Sequence, residues 1–183
     1  MKTFCKDTML KKCKLYDDMR IVWLRHVWWT REVILAIAAN APWTNDSVNK
    51  LLKNPQEMSN VFAPYITSTQ QKIFVDLFTT HLKIGGDIVT ASKKGYNKRV
   101  EELQTQWHQN ADQIAKFMAS LLLCLCENDV RRMMYSHLHL TTQEATEVLN
   151  KQYEQAIATF DKVQEEALMM ADYFVSGIVH AKF

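Results

Sequence analysis

Two imidazoles and a carboxamide stand where a helical repeat would place hydrocarbon. His26 falls in the series Trp23–His26–Thr30–Val33–Ile37, and His81 in Phe74–Leu77–His81–Ile84–Ile88–Ala91. Asn110 falls in Val100–Leu103–Trp107–Asn110–Ile114–Phe117–Leu121. Steps of three and four hold such residues on one helix face, the face that packs inward. A polar group buried there without a partner costs about 1–3 kcal/mol, so these side chains must satisfy one another or a guest. Neutral imidazole is a common metal ligand, and bundle cores host cofactors. The chemistry on offer is binding of a divalent metal ion or of a small polar ligand.

Counting to the nearest helix end places each residue in depth. His26, His81 and Asn110 all fall roughly 20 Å from a helix end at 1.5 Å rise per residue. Tyr153 reaches the same depth in a last helix opened at Thr141. One layer is therefore expected to hold His26, His81, Asn110 and Tyr153 as ligand or metal contacts, with Thr30 and Trp107 flanking it. Two imidazoles with an amide and a phenol are a poor zinc set, which wants four N, S or O ligands in good geometry. The same layer also reads as a self-satisfied network that fixes helix register. A second polar cluster, His137, Thr141 and Glu144, reads as capping and docking of a short helix. His108 and Asp112 are spaced as a surface pair. Glu-x-x-His pairs of the di-iron carboxylate type are absent. No phosphate loop, nucleophile elbow or Cys-x-x-Cys occurs either. A histidine general base is the one route left to an enzyme.

The elements that must position these residues are helices. A first runs from about residue 9 to 41, where Pro42 forbids continuation. Asp46 or Ser47 caps a short helix to Lys53, and Asn54-Pro55 starts another that Pro64 closes. Thr67 or Ser68 caps the second long helix, which Gly95 stops; Gly85-Gly86 within it mark the close approach of a neighbour. The third spans about Asn97 to Leu123. A short helix follows from Asn128 or Asp129 to His137, and the capping box Thr141 with Glu144 opens the last, to about Val179. This pattern predicts an all-α single domain over residues 1–183. Its architecture is an antiparallel up-down four-helix bundle with short helical excursions between helices 1 and 2 and helices 3 and 4. Trp28 and Trp29 pack under the first excursion or form a partner surface.

Composition agrees. Hydrophobic residues make up 48 %, and only four Gly and three Pro interrupt the helix formers. A net charge of +2 gives no reason to expect nucleic acid as a partner. The apolar run from Ile21 to Ala39 carries Arg25, His26, Arg31 and Glu32, too costly for a membrane span. A basic rim is expected where Lys11, Lys12 and Lys14 meet Lys93, Lys94, Lys98, Arg99 and Lys182. Cys5 and Cys13 should lie a bundle length from Cys124 and Cys126, which disfavours a four-thiolate zinc site. Reduced thiols, with no secretory segment at the start, point to the cytoplasm.

Several segments together resemble a family of small, helical, uncharacterised bacterial proteins, some of which carry the label acetylglutamate kinase. They are His26-Val-Trp-Trp-Thr-Arg31, Leu51-Leu-Lys-Asn-Pro-Gln56, Trp107-His-Gln-Asn-Ala-Asp112, Met134-Tyr-Ser-His-Leu138 with Thr141–Glu144, and Met170-Ala-Asp-Tyr173 with Gly177-Ile178. The resemblance covers roughly residues 15 to 179. It implies a helical fold and motif positions, among them His26, His81, Asn110, His137, Thr141 and Glu144, but no activity. The kinase label does not transfer, because that fold is a larger α/β sheet with glycine-rich phosphate loops.

The expectation is a non-enzymatic binding protein holding a metal ion or small ligand in a polar mid-core site. The alternative is a structural or protein-interaction module whose buried polar layer only sets register.

Overall fold

The computed structural model describes the backbone of residues 2–121 and 124–182, and the side chains of 8–121 and 124–181. The Cys5 and Lys182 side chains and Leu123 therefore lie outside the described residues. The described chain is all-helical. Five long helices, α1 (Lys2–Ala39), α4 (Ser68–Lys93), α5 (Asn97–Leu121), α6 (Glu127–Leu149) and α7 (Tyr153–Lys182), are joined by short α2 (Thr44–Leu51) and α3 (Asn54–Phe62). No helix among the described residues is long and apolar enough to cross a membrane.

Local chemistry accounts for most of the breaks. Asn40 and Gly95 take positive φ, 53° and 71°, directly after α1 and α4. Bonds from Ala41 N–H to Ala36 O and from Tyr96 N–H to Ala91 O close each end in the six-residue pattern of a Schellman cap. Thr67 and Gln70 form a reciprocal capping box on α4. Pro55 sits in the first turn of α3, where its missing N–H costs nothing.

The C-terminal half departs from expectation. Thr141 and Glu144 open no helix: α6 runs through them without a break and stops only at Asn150. Their side chains face inward, Glu144 paired with Arg31 and Thr141 buried, so the local capping signal is overridden. The real turn has Lys151 at φ 60°, with Gln152 N–H bonded to Glu147 O. The expected short helix and the first part of the expected last helix are thus one element. Tyr153 becomes the first residue of α7 instead of a mid-helix core position.

The topology differs as well. Trp23 meets Phe78 at 6.3 Å between ring centroids, and Lys93 Nζ donates to Ile37 O and to Asn40 Oδ1. α1 and α4 therefore run parallel, because α2 and α3 carry the chain back along the molecule before α4 begins. The remaining long helices alternate through short turns, and α7 returns along α1 with Trp23 stacked on Phe174 at 5.6 Å. Lys93 consequently sits at the opposite end from Lys11–Lys14, so the expected basic rim is split. The cysteine expectation fails for the same reason. The start of α1 and the end of α5 share one end of the molecule, where Cys13, Cys124 and Cys126 are free and exposed. The main core packs Met19, Trp23, Phe62, Phe74, Ile114, Met118 and Phe174 with at most 2 % exposure.

Candidate functional site: buried imidazoles on a mid-core cavity

Five elements deliver polar side chains to one depth. His26 (α1), His81 (α4), Asn110 (α5), His137 (α6) and Glu166 (α7) are each no more than 4 % exposed. His26 and His137 rings lie 5.7 Å apart between centroids, and His81 and His137 rings 6.2 Å. His26, His81 and Asn110 thus converge as the sequence predicts. Tyr153 does not join them: it is 56 % exposed at the head of α7. Its expected place in the layer is taken by His137, together with Glu166, which the sequence reading missed.

Two of the three imidazoles are held by Nδ1. His26 Nδ1 lies 3.1 Å from Asn54 Oδ1, and His81 Nδ1 lies 2.9 Å from Asn110 Oδ1. The amide orientations follow from their other ends. Asn54 Nδ2 donates to Val22 O at 3.0 Å, and Asn110 Nδ2 donates to Leu77 O at 3.2 Å. An amide oxygen only accepts, so both imidazoles carry their proton on Nδ1 and keep a lone pair on Nε2. His137 Nδ1 lies 3.5 Å from Glu166 Oε2 but makes no hydrogen bond to it. Burial pushes the His26 imidazole down to about 3, the neighbouring His137 adding to this and the Asn54 bond opposing it. Burial likewise holds His81 well below 6.5. Both rings are neutral at physiological pH.

The three imidazoles line one cavity of about 60 Å³. Its walls are Val33, Ile34, Leu82, Ile88, Val89, Ala145 and Leu149, with Thr30 and Trp107 flanking the rings as expected. Trp107 is fixed by its Nε1 donating to His81 O at 3.0 Å, and by Gly85, where a Cβ would come within 3.3 Å of its ring. That contact is the close approach the glycine pair predicted. Thr141, on the same face of α6 as His137, also lines the cavity; its buried Oγ1 has no hydrogen-bond partner among the described residues. Both Glu166 oxygens are likewise buried without one.

The third residue of the expected second cluster separates from the other two. Glu144 pairs with Arg31 at 2.5 Å, and Arg31 also donates to Ala156 O and lies over the Phe160 ring. Burial pushes the Glu144 carboxyl up to about 7, against the pull of Arg31. No lysine or arginine lines the cavity among the described residues. Away from the site, Trp29 packs beneath α2 as expected, while Trp28 is 56 % exposed with its ring edge-on to Phe160. Asp112 bonds Arg131 and Tyr135 rather than His108.

Among the described residues, no group of three His, Cys, Asp or Glu side chains is arranged to hold a metal ion. The ring spacings agree: metal–nitrogen bonds of about 2.0–2.1 Å would bring imidazole centroids to about 5 Å. No protein-family model, curated protein or solved structure matches this chain.

Proposed function

We propose that this protein binds a small ligand in its mid-core cavity, without catalysis, using the Nε2 atoms of His26 and His81, with His137 lining the same cavity. The observation that carries the reading is the matched backing of two rings. His26 and His81 both present Nδ1 to an amide oxygen, so two Nε2 lone pairs remain for a guest. Oxygen acceptors behind imidazoles are also the usual support for metal-binding histidines. The wide ring spacing favours a molecule that spans the rings over one ion that closes them. In this reading Asn54 and Asn110 orient the rings, and the long helices act as a bundle that holds them at one depth. A reducing cytoplasm suits the free thiols.

A second reading keeps the layer structural. The His26–Asn54 and His81–Asn110 bonds tie α1 to α3 and α4 to α5, enough to fix register without a guest. Native mass spectrometry and elemental analysis of protein purified from its own cells separate the two. The binding reading expects a small adduct that is lost in the double variant His26→Leu, His81→Leu. Metal-free protein with no adduct, and a double variant of unchanged or higher stability, would leave only the structural role. A stoichiometric metal would replace the small molecule as the guest.

A further inference from the structure

A second opening lies on the surface, where α1 meets the α2 segment, and shares no lining residue with the mid-core cavity. It is a cleft of about 590 Å³ lined by three indoles, Trp28, Trp29 and Trp43, and by the carboxylates of Glu32 and Asp46. That volume is ordinary for a small-molecule site. Each indole is fixed. Trp43 Nε1 donates to Glu32 Oε1 at 2.9 Å, Trp29 packs with Val33 and Leu51 beneath α2, and Trp28 lies edge-on to the Phe160 ring at 5.1 Å. Trp28 and Trp43 nevertheless stay 56 % and 52 % exposed, apolar area left to water beside charged groups.

The charges decide what fits there. Both cations that line the cleft are already neutralised from outside it: Arg31 pairs with Glu144 at 2.5 Å, and Lys50 with Glu57 at 2.8 Å. The two carboxylates are not. Glu32 accepts from the neutral Trp43 N–H, and Asp46 has no hydrogen bond or ion pair among the described residues. The cleft is thus aromatic in surface and negative in unbalanced charge. An indole face attracts a cation, and Lys50 Nζ already sits 5.9 Å over the Trp29 ring. The Trp28 and Trp43 faces hold no cation among the described residues. A primary ammonium is strongly hydrated and gives up its water at a cost. A quaternary ammonium spreads its charge over methyl groups that pack on indole. An anionic group on the same guest would face Glu32 and Asp46 and meet no unpaired cation.

We propose that the cleft lined by Trp28 and Trp43 binds a small, free quaternary ammonium compound of the choline type, its methyl groups on the indoles and its charge balanced by Glu32 and Asp46.

Tryptophan fluorescence and calorimetric titration of the full chain with choline, its neutral tert-butyl isostere, betaine and phosphocholine read each part of the claim. Choline should bind saturably at one site. The isostere, equal in shape but uncharged, should be about tenfold weaker, and betaine and phosphocholine should also bind less tightly than choline. Glu32→Gln keeps an acceptor for Trp43 and should weaken choline about three- to tenfold, a difference that shrinks in high salt. Trp43→Leu should weaken it about tenfold and Trp43→Phe less. Helicity and thermal midpoint, measured alongside, establish that the variants are folded, and the comparison of choline with its isostere needs no variant. Absence of saturable choline binding would overturn the proposal. An isostere as tight as choline, or folded Trp43→Leu or Glu32→Gln of unchanged affinity, would overturn recognition by charge and indole face. Phosphocholine binding more tightly than choline would overturn the free compound in favour of a lipid headgroup. None of these results bears on the mid-core cavity, whose guest is tested by the adduct and the His26→Leu, His81→Leu variant.

Discussion

Asn54 and Asn110 decide what the histidines can do. Each donates its amide N–H to a backbone carbonyl and turns its oxygen on an imidazole, so the ring proton is committed before any guest arrives. Neutrality of those rings has a cost in acid. Folded His26 has its protonation lowered to about 3, while the unfolded side chain protonates near 6.5. The stabilising contribution of His26, and in the same sense His81, is fully present above about 6.5 and is lost as pH falls toward 3. Glu144 has the opposite sign. Its folded carboxyl keeps a proton up to about 7 against 4.5 unfolded, so its contribution is full below 4.5 and fades as pH rises to 7. Two rings oppose one carboxyl, so denaturant midpoints are expected to fall as pH drops below 6.5. In the double variant His26→Leu, His81→Leu that acid slope should flatten. A wild-type midpoint that holds steady or rises over this range would contradict neutral buried imidazoles.

Helix ends show what a sequence discloses and what it hides. α1, α4 and α6 finish with the same six-residue hydrogen-bond closure, on Asn40, Gly95 and Lys151 respectively. Asparagine and glycine advertise a left-handed residue, and both of those stops are legible. Lysine does not, so the sequence gives no sign of the stop at Lys151, whereas the Thr141–Glu144 motif imitates a helix start. That one boundary moved Tyr153 out of the core, and with it the deduced fourth member of the layer. It also kept His137 in a separate cluster with Thr141 and Glu144, although its helix is continuous through the cavity. A non-glycine residue in this conformation costs about 1–2 kcal/mol, so Lys151→Gly should stabilise the protein by about 1 kcal/mol. Urea denaturation checks it: an unchanged or lowered midpoint would mean that the Lys151 conformation is relaxed.

Convergence of His26, His81 and Asn110 was readable from periodicity, because the inward face is decided within each helix. The way the helices are strung was not. A short connection implies an antiparallel neighbour, but α2 and α3 return the chain so that α1 and α4 point the same way. The depths estimated for His26 and His81 nevertheless coincide, since both lie near the middle of their helices and a middle is insensitive to direction. Residues near helix ends have no such protection, which is why the lysine and cysteine placements failed together. What the whole molecule achieves is a cavity lined by rings from three helices, two of which, His26 and His81, are neutral with a lone pair on Nε2. Long-range proton–nitrogen NMR of ¹⁵N-histidine-labelled protein reads that state atom by atom. The expected spectrum has His26 and His81 as Nδ1-protonated neutral rings well below pH 6.5, each with an unprotonated Nε2. Rings that titrate near 6.5, or that carry their proton on Nε2, would contradict the account.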